Sequence, residues 1–202
     1  MWVKVCGCRT DDGIEAAVSA GADAIGLIFA ESRRSVAPQA ARALARRVPS
    51  NVAVVGVVHS PTPDFLRELV EQVPLDLVQL SGTMPHGVAQ LVPYLRTVYI
   101  GAEDRLPRGR LPQGFALHID RRHGQRLGGT GERVNAGAAR RIVAAGRRVV
   151  LAGGLSAENV QQAIREVAPF GVDVASGVEV AGEQDPDAIF RFVRAAKGVH
   201  VQ

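Results

Sequence analysis

The sequence predicts an α/β protein, a single (βα)8 barrel of the TIM type, on three observations. Short apolar segments alternate with amphipathic ones from end to end of the 202-residue chain. Eight apolar segments are present, and strict alternation of strands with helices produces a parallel sheet. The length is close to the lower limit of about 200 residues for eight βα units. Because no linker divides the chain, we expect one domain that spans residues 1–202.

The strands and helices follow from apolar runs and from helix-start signals. Thr10 or Asp11 can cap the first helix, Pro38 suits the first turn of the second, and Ser156 begins the sixth. The predicted strands are Val3–Cys6, Asp23–Phe29, Val52–Val58, Asp76–Leu80, Arg96–Ile100, Phe115–Ile119, Arg148–Leu151 and Val172–Ala175. The predicted helices are Asp11–Ala20, Pro38–Val48, Thr62–Val73, His86–Pro93, Ala136–Ala145, Ser156–Val167 and Pro186–Ala196.

One helix is missing from this series. The segment Ala102–Gly114 contains two prolines and two glycines that would break a helix, so we expect the fifth helix to be reduced or absent. A doubly wound open sheet is the alternative architecture. It usually carries a glycine fingerprint after the first strand, and Cys6-Gly7-Cys8-Arg9 does not match that fingerprint.

Composition excludes several classes of protein. Apolar residues make up 47% and charged residues 22%, and no apolar run approaches the roughly 18 residues of a membrane span. Cys6 and Cys8 are too close for a disulfide loop and too few for a zinc site. The start of the sequence lacks the pattern of a secretory signal, and we expect a reduced, cytoplasmic protein. The five histidines form no paired-ligand spacing, so we predict no metal.

The net charge of +4 favours a small anionic ligand. All but two of the 24 basic residues are arginine, and they are spread along the chain without a run of five. Aromatic residues make up 4% of the chain, too few for a surface that stacks on bases. We therefore expect no nucleic-acid partner and no membrane partner.

Glycine-rich loops follow the last three predicted strands, at the barrel end where active sites form. Gly153-Gly154 ends the seventh strand, Ser176-Gly177 ends the eighth, and Gly128-Gly129-Thr130-Gly131 follows the sixth. Glycine lets backbone N–H groups approach an anion closely, and barrels commonly bind phosphate after strands seven and eight. Each loop alone also fits ordinary turn chemistry, and together they predict a phosphate site.

Cys6 and Asp120 end the first and sixth strands, and we expect them to flank a ligand across the barrel mouth. A thiolate can act as a general base and a protonated carboxyl as a general acid. Reference pKa values of ~8.5 for cysteine and ~3.9 for aspartate leave the thiol protonated and the carboxyl group ionised at neutral pH. These states are the opposite of those that the two roles require. Burial is able to raise the pKa of Asp120, and a nearby arginine or helix N-terminus is able to lower that of Cys6.

Two further features concern charged side chains. Lys4 shares a strand face with Cys6 and so points into the barrel, where Asp173 of the neighbouring eighth strand can pair with it. The alternative is that Lys4 reaches solvent at the bottom of the barrel. Arg33-Arg34 follows the second strand, either as a solvated loop or as a clamp for a carboxylate or phosphate.

With these residues in order, the chain resembles the phosphoribosylanthranilate isomerase family over nearly its whole length. The matching motifs are Lys4-Val5-Cys6-Gly7, Ala20-Gly21-Ala22-Asp23-Ala24-Ile25-Gly26, Ser32-Arg33-Arg34-Ser35-Val36, Val55-Gly56-Val57, Val78-Gln79-Leu80, Gly128-Gly129-Thr130-Gly131, Leu151-Ala152-Gly153-Gly154-Leu155 and Gly171-Val172-Asp173-Val174-Ala175-Ser176-Gly177-Val178-Glu179. The resemblance implies an Amadori rearrangement of an aminoaldose phosphate in tryptophan biosynthesis, without a cofactor.

The resemblance also implies roles for individual residues. Cys6 would be the general base, Asp120 the general acid that opens the ribose ring, and Arg34 the group that binds the anthranilate carboxylate. The expected phosphate and substrate contacts are Gly129, Gly153, Gly154, Asp173, Ser176 and Gly177.

The chain departs from the family pattern at the barrel mouth. Ser81 stands where the family usually has histidine, Cys8-Arg9 follow Cys6-Gly7, and His59-Ser60 replace a Val-Asn pair. If the substrate is the usual one, His59 or Arg9 must fill the space left by Ser81. The alternatives are a paralogue that accepts another amine and a non-catalytic sugar-phosphate-binding barrel. We expect a monomer rather than a homodimer.

Overall fold

Eight parallel strands close into a barrel, as predicted. The computed structural model describes residues 1–100, 114–123, 126–127 and 134–199. The barrel strands are β1 Trp2–Cys6, β2 Ala24–Ile28, β3 Ala53–His59, β4 Leu77–Ser81, β5 Tyr94–Ile100, β6 Ala116–His123, β7 Val149–Leu151 and β8 Gly171–Val174. Each strand pairs in parallel with its sequence neighbours, and β8 pairs with β1 to complete the ring.

Seven α-helices cover the described part of the barrel. They are α1 Asp11–Ser19, α2 Pro38–Ala45, α3 Pro63–Gln72, α4 Val88–Leu91, α5 Ala136–Ala144, α6 Val160–Val167 and α7 Pro186–Lys197. Side-chain caps begin four of them: the Thr10, Thr62, Asn135 and Asp185 oxygens each accept a backbone N–H of the first turn.

Several helix ends differ from the prediction, and helices α6 and α4 differ most. Helix α6 begins four residues later than Ser156, because Asn159 ties the preceding turn together by accepting from Ser156 N and donating to Gly154 O. Helix α4 is a single turn rather than the predicted His86–Pro93. The predicted break at Ala102–Gly114 lies, except for Gly114, outside the described part of the chain.

Short antiparallel pairs, which the sequence analysis did not predict, extend the barrel mouth. Arg126–Leu127 pairs with the end of β6, and Glu179–Val180 pairs with Glu183–Gln184 after a 3₁₀ turn at Ser176–Val178. The second pair brings the acidic side chains of Glu179 and Glu183 to the mouth, where both meet arginines.

The barrel interior changes from apolar to polar along its axis. An apolar layer closes the bottom, consisting of Ala24, Val55, Leu77, Leu95, Ala116 and Val150. Above it lies a layer of buried polar residues, consisting of Lys4, Gln79, Thr97, His118 and Asp173. The main apolar core packs between the strands and the surrounding helices. None of the described helices is long and apolar enough to cross a membrane.

Candidate active site

A cavity of about 1070 Å³ opens at the carboxyl ends of the strands, a size that suits a small-molecule ligand. Its described lining includes residues from every strand end and from the loop after β2. Cys6, Arg34, Asp120, Gly153, Gly154, Asp173, Ser176 and Gly177 all lie on this lining. The remaining predicted site residue, Gly129, lies outside the described part of the chain.

Cys6 and Asp120 line the same cavity from strands that are three positions apart in the barrel. Strands β7 and β8 separate β6 from β1 on the shorter side, so the two side chains do not lie across a diameter of the mouth. Between them lie the glycine-rich loops that end β7 and β8. A ligand held by those loops is therefore flanked by a thiol and a carboxyl group.

Asp120 is held in place by its own backbone neighbourhood. Its Oδ1 accepts the Arg121 N–H at 2.7 Å. Burial raises the pKa of the Asp120 carboxyl above its usual range, against smaller opposing effects of His118 and of the Arg121 N–H. Gly153 has φ +82°, and a Cβ there would lie 3.0 Å from Asp120 Oδ1, so glycine leaves room for the carboxyl. The direction of the shift is the one that a general acid requires.

Cys6 is 6% exposed, and the effects on its pKa differ from those on the pKa of Asp120. Burial raises the pKa of the Cys6 thiol, and Asp173 adds to the increase. Lys4 and Arg34 lower it, but burial outweighs them. Nearby positive charge therefore lowers the pKa of Cys6 as expected, but the net shift is upward, because the thiol is enclosed.

The pairing of Lys4 with Asp173 is confirmed. Lys4 is fully buried, and its Nζ lies 3.0 Å from both carboxylate oxygens of Asp173, its register partner on β8. Burial alone raises the pKa of Asp173, but Lys4 and His118 lower it below its usual range. The alternative in which Lys4 reaches solvent at the bottom of the barrel is excluded.

Arg34 lies on the cavity lining, but its guanidinium is already engaged. Its Nε donates to Glu179 Oε1 at 2.5 Å and its Nη2 to Oε2 at 2.8 Å. The neighbouring Arg33 also binds Glu179 and donates to the Gly182 carbonyl oxygen. This two-point contact fixes the plane of the Arg34 guanidinium, and among the described residues it leaves Nη1 for another acceptor.

The loops that end β7 and β8 pack directly on each other. Gly153 and Gly154 both have positive φ, which favours glycine. A Cβ on Gly177 would lie 1.9 Å from the Leu155 carbonyl oxygen, so no larger residue fits there. Together these glycines line the cavity beside Cys6 and Asp120 with little side-chain cover.

Four residues at the site were missed by the sequence analysis: Gln79, Tyr99, His118 and Glu179. His118 precedes Asp120 by two positions on β6, so the strand-parity argument that placed Lys4 would also have found it. Gln79 is buried in the cavity wall, and its Oε1 has no hydrogen-bond partner among the described residues. Glu179 ends one of the matching motifs, but the sequence analysis gave it no role. Its contact with Arg34 joins loops that are far apart in the sequence, so spacing alone does not reveal it.

Comparison with known proteins gives a consistent result. Residues 3–195 match the family model described as N-(5'-phosphoribosyl)anthranilate (PRA) isomerase. The N-(5'-phosphoribosyl)anthranilate isomerase of Listeria welshimeri is 38% identical over 98% of this chain and 100% of its own length. That of Streptococcus pneumoniae is 36% identical over 96% of this chain and 95% of its own.

Solved structures share the fold. The phosphoribosyl anthranilate isomerase of Thermotoga maritima superposes with a TM-score of 0.86 at 31% identity, covering 98% of this chain and 100% of that one. Another isomerase, solved in complex with reduced 1-(o-carboxyphenylamino)-1-deoxyribulose 5-phosphate, has a TM-score of 0.79 at 29% identity, covering 98% and 100%. The neighbours also include monomers generated from the dimeric Thermotoga maritima protein.

Proposed function

This chain belongs to the N-(5'-phosphoribosyl)anthranilate isomerase family of tryptophan biosynthesis, and we propose that it isomerises its substrate with Cys6 as general base and Asp120 as general acid. The observation that carries these assignments is that both groups line one cavity, on either side of the glycine-rich loops that end β7 and β8. A sugar phosphate held at those loops places its reacting carbons between the thiol and the carboxyl group.

Substrate binding uses the two ends of the cavity. The backbone N–H groups near Gly154 and Gly177 bind the phosphate, because glycines there expose the main chain. At the other end, Arg34 donates from the guanidinium edge that Glu179 leaves free to the anthranilate carboxylate. Asp173 lines the cavity between these ends and is the proposed contact for a ribose hydroxyl. Gly129 completes the proposed phosphate contacts.

In the first step Asp120 donates its proton to the furanose ring oxygen. The bond from that oxygen to C1′ breaks, and the lone pair of the anthranilate nitrogen forms the C1′=N bond. The products are an ionised Asp120 and an open-chain, protonated Schiff base. The raised pKa of Asp120 suits this step, because it keeps more of the carboxyl protonated near neutral pH.

In the second step the Cys6 thiolate removes the proton from C2′. The C–H electrons form a C1′=C2′ double bond, and the π electrons of C1′=N return to nitrogen, which gives a neutral enolamine. Tautomerisation then places a proton on C1′ and removes one from the 2′-hydroxyl. When the Cys6 thiol supplies the first proton and the Asp120 carboxylate takes the second, both groups return to their starting states. Each proton transfer contributes about 10²–10⁴-fold to the rate.

We also propose that the protein acts as a monomer in the cytoplasm. The large apolar side chains that are exposed in the described part of the chain come from separate elements, and they are Phe65, Met84, Leu91, Phe115, Val180 and Phe190. Light scattering on the purified protein tests the monomer: a mass near 21.4 kDa is expected, and twice that mass contradicts it.

Two substitutions test the mechanism. Cys6→Ala and Asp120→Asn should each lower kcat by at least about 10²-fold and fail to rescue a tryptophan auxotroph that lacks this isomerase. Affinity for a reduced product analogue should change little, because phosphate and Arg34 contacts supply the binding. Cys8→Ala and Asp64→Asn are matched controls, since Cys8 is buried outside the cavity lining and Asp64 is exposed. A kcat near that of the wild type in Cys6→Ala or in Asp120→Asn would exclude that residue from its assigned role.

A further inference from the structure

A buried chain of polar side chains runs beneath Cys6. Lys4 lies 3.0 Å from the carboxylate of Asp173, and Asp173 Oδ2 lies 2.9 Å from His118 Nε2. Nδ1 of His118 lies 3.4 Å from the Thr97 hydroxyl. All four side chains are less than 9% exposed, and Lys4 is fully buried. A charged chain of this kind is costly to bury and by itself contributes little to stability.

The top of this chain lies beside the thiol. Lys4 and Cys6 lie two positions apart on β1 and share the interior face. They also meet beside Gly26 on β2, where a Cβ would lie 2.8 Å from Cys6 Sγ and 3.1 Å from Lys4 Cε. The Lys4 ammonium donates to both carboxylate oxygens of Asp173, and its charge lowers the pKa of the thiol. One cation therefore acts on both Cys6 and the buried carboxylate.

The other charged groups near Cys6 are few. Lys4 and Cys8 come from its own segment, Arg34 from the loop after β2, and Asp173 from β8. Asp120 and His118 face the same interior from β6, where Asp120 interacts electrostatically with Asp173 and Lys4, and His118 with Asp173. Among these described groups, Lys4 has the largest effect opposing the burial of the thiolate.

We propose that Lys4 is a positioning residue that stabilises the thiolate form of Cys6 during catalysis, and that Asp173 and His118 hold its ammonium group in place. This inference rests on the proposed role of Cys6 as the base. Asp173 binds Lys4 through both oxygens while His118 donates its Nε2–H to one of them. Lys4 and His118 both bind Asp173. The carboxylate therefore keeps the ammonium group near the sulfur when the thiol loses its proton.

Stabilisation of the Cys6 thiolate by Lys4 predicts a particular pH dependence of kcat/KM. The active enzyme carries a protonated Asp120 and a deprotonated Cys6. When the pKa of the thiol is the higher of the two, this form is a constant minority between the two pKa values, and it falls tenfold for each unit of increase in the thiol pKa. The acidic limb of kcat/KM then reports the lower pKa and the basic limb the higher one. Loss of Lys4 should lower the plateau and move the basic limb to higher pH.

The first experiment measures the thiolate without any substrate. In a Cys8→Ala background, Cys6 is the only thiol, and its rate of alkylation by iodoacetamide at pH 8 follows its thiolate fraction. An opposite charge at this range shifts a pKa by about 1–3 units, so Lys4→Met should slow alkylation about 10- to 1000-fold. Lys4→Arg keeps the charge and should stay within about tenfold of the background protein. Equal rates for Lys4→Met and the background protein would overturn the proposal.

Lys4→Met leaves Asp173 buried without its partner, so a second variant guards against unfolding. Lys4→Gln/Asp173→Asn removes both charges and keeps the shape of the pair. Its circular dichroism should match that of the background protein, and its alkylation should still be slowed, by a smaller factor than in Lys4→Met, because the loss of Asp173 removes a charge that raises the pKa of Cys6. Folded protein with unchanged alkylation would count against a role for the ammonium.

The second experiment connects the thiolate to turnover. In Lys4→Met the plateau of kcat/KM should fall by the same factor as the alkylation rate, with affinity for the product analogue unchanged. If alkylation slows and kcat/KM does not, Lys4 does not act in catalysis. Failure of the proposed function would look different: Cys6→Ala would retain its turnover while Lys4 still governed the alkylation rate.

Discussion

The His59 ring, at the end of β3, lies against the Ser81 hydroxyl at the end of β4, with Nδ1 2.9 Å from Oγ. Ser81 donates its only hydroxyl proton to the Val58 carbonyl oxygen at 3.2 Å, so its oxygen accepts from His59. Nδ1 of His59 therefore carries the hydrogen. Of the two residues expected to fill the space beside Ser81, His59 does so, whereas Arg9 pairs with Glu183 on the neighbouring hairpin.

The first prediction concerns a histidine at position 81. Ser81→His should leave kcat/KM for phosphoribosylanthranilate unchanged or lower it, because the imidazole of His59 already occupies the adjoining space. Ser81→Ala is the matched control, since it removes the hydroxyl without adding volume. Steady-state kinetics on the three proteins measures the effect.

A second experiment tests whether the contact between His59 and Ser81 explains the effect of Ser81→His. In a His59→Ala background the space is vacant, and Ser81→His should be tolerated better than it is beside His59. If Ser81→His alone raises kcat/KM several-fold, His59 does not fill the place of a side chain at position 81, and the barrel mouth accommodates a different aglycone.

Arg34→Ala should weaken binding of the product analogue about 10- to 150-fold, because a charge-assisted hydrogen bond contributes about 1.5–3 kcal/mol. Arg33→Ala is the matched neighbour: Arg33 also binds Glu179, but its side chain is 52% exposed. Its effect should be several-fold smaller. Isothermal titration with both variants measures the difference, and equal losses would argue against a direct contact between Arg34 and the carboxylate.

Glu179→Gln should destabilise the protein more at pH 7 than at pH 3. Partial burial raises the pKa of Glu179, but its contacts with Arg34 outweigh burial and lower it below its usual value. A lowered pKa stabilises the fold fully above the unfolded value of about 4.3, and this contribution disappears as pH falls through the folded value. Urea denaturation at the two pH values measures the difference.

The control for that experiment lies on the same hairpin. Glu183 is 71% exposed and pairs with Arg9, an arrangement that contributes little to stability. Glu183→Gln should therefore change the free energy of unfolding by less than about 1 kcal/mol at either pH. An equal pH dependence in the two variants would show that the contact between Glu179 and Arg34 has no special stability.

Gly177→Ala should weaken phosphate binding and destabilise the fold by about 1–3 kcal/mol, because its Cβ would overlap the Leu155 carbonyl oxygen and push the two loops apart. Competition by inorganic phosphate in a kinetic assay gives the affinity. Gly146→Ala adds a side chain at a left-handed position with no atom within 4 Å, away from the cavity. It should cost stability without changing the phosphate affinity.

Crystals grown with sulfate or phosphate should hold an anion at the backbone nitrogens near Gly154 and Gly177. The glycine-rich loops leave these groups accessible from the cavity, where an anion finds several donors at once. Electron density for the anion is the measurement. An anion that occupies the opposite end of the barrel while these loops stay empty would contradict the assignment.

Much of this protein follows from the sequence alone. The alternation of apolar and amphipathic segments determines the eight strands and their parallel pairing, since each segment's periodicity is a local property. Strand parity placed Lys4 inside the barrel and opposite Asp173, because successive side chains point to opposite faces and β8 must neighbour β1 in a closed ring. The position of Cys6 at the end of β1 and that of Asp120 on β6 followed from the same pattern, although β6 continues to His123 beyond the predicted end.

The tertiary structure decided what depends on contacts between distant segments. The contact of Glu179 with Arg34 joins residues 145 positions apart, and that of His59 with Ser81 depends on the register of β3 and β4. The direction of the Cys6 pKa shift is a balance between enclosure by many segments and the nearby charges of Lys4 and Arg34. Sequence spacing identifies such groups, but only the packed barrel determines how much water each one loses, and that loss determines which effect prevails.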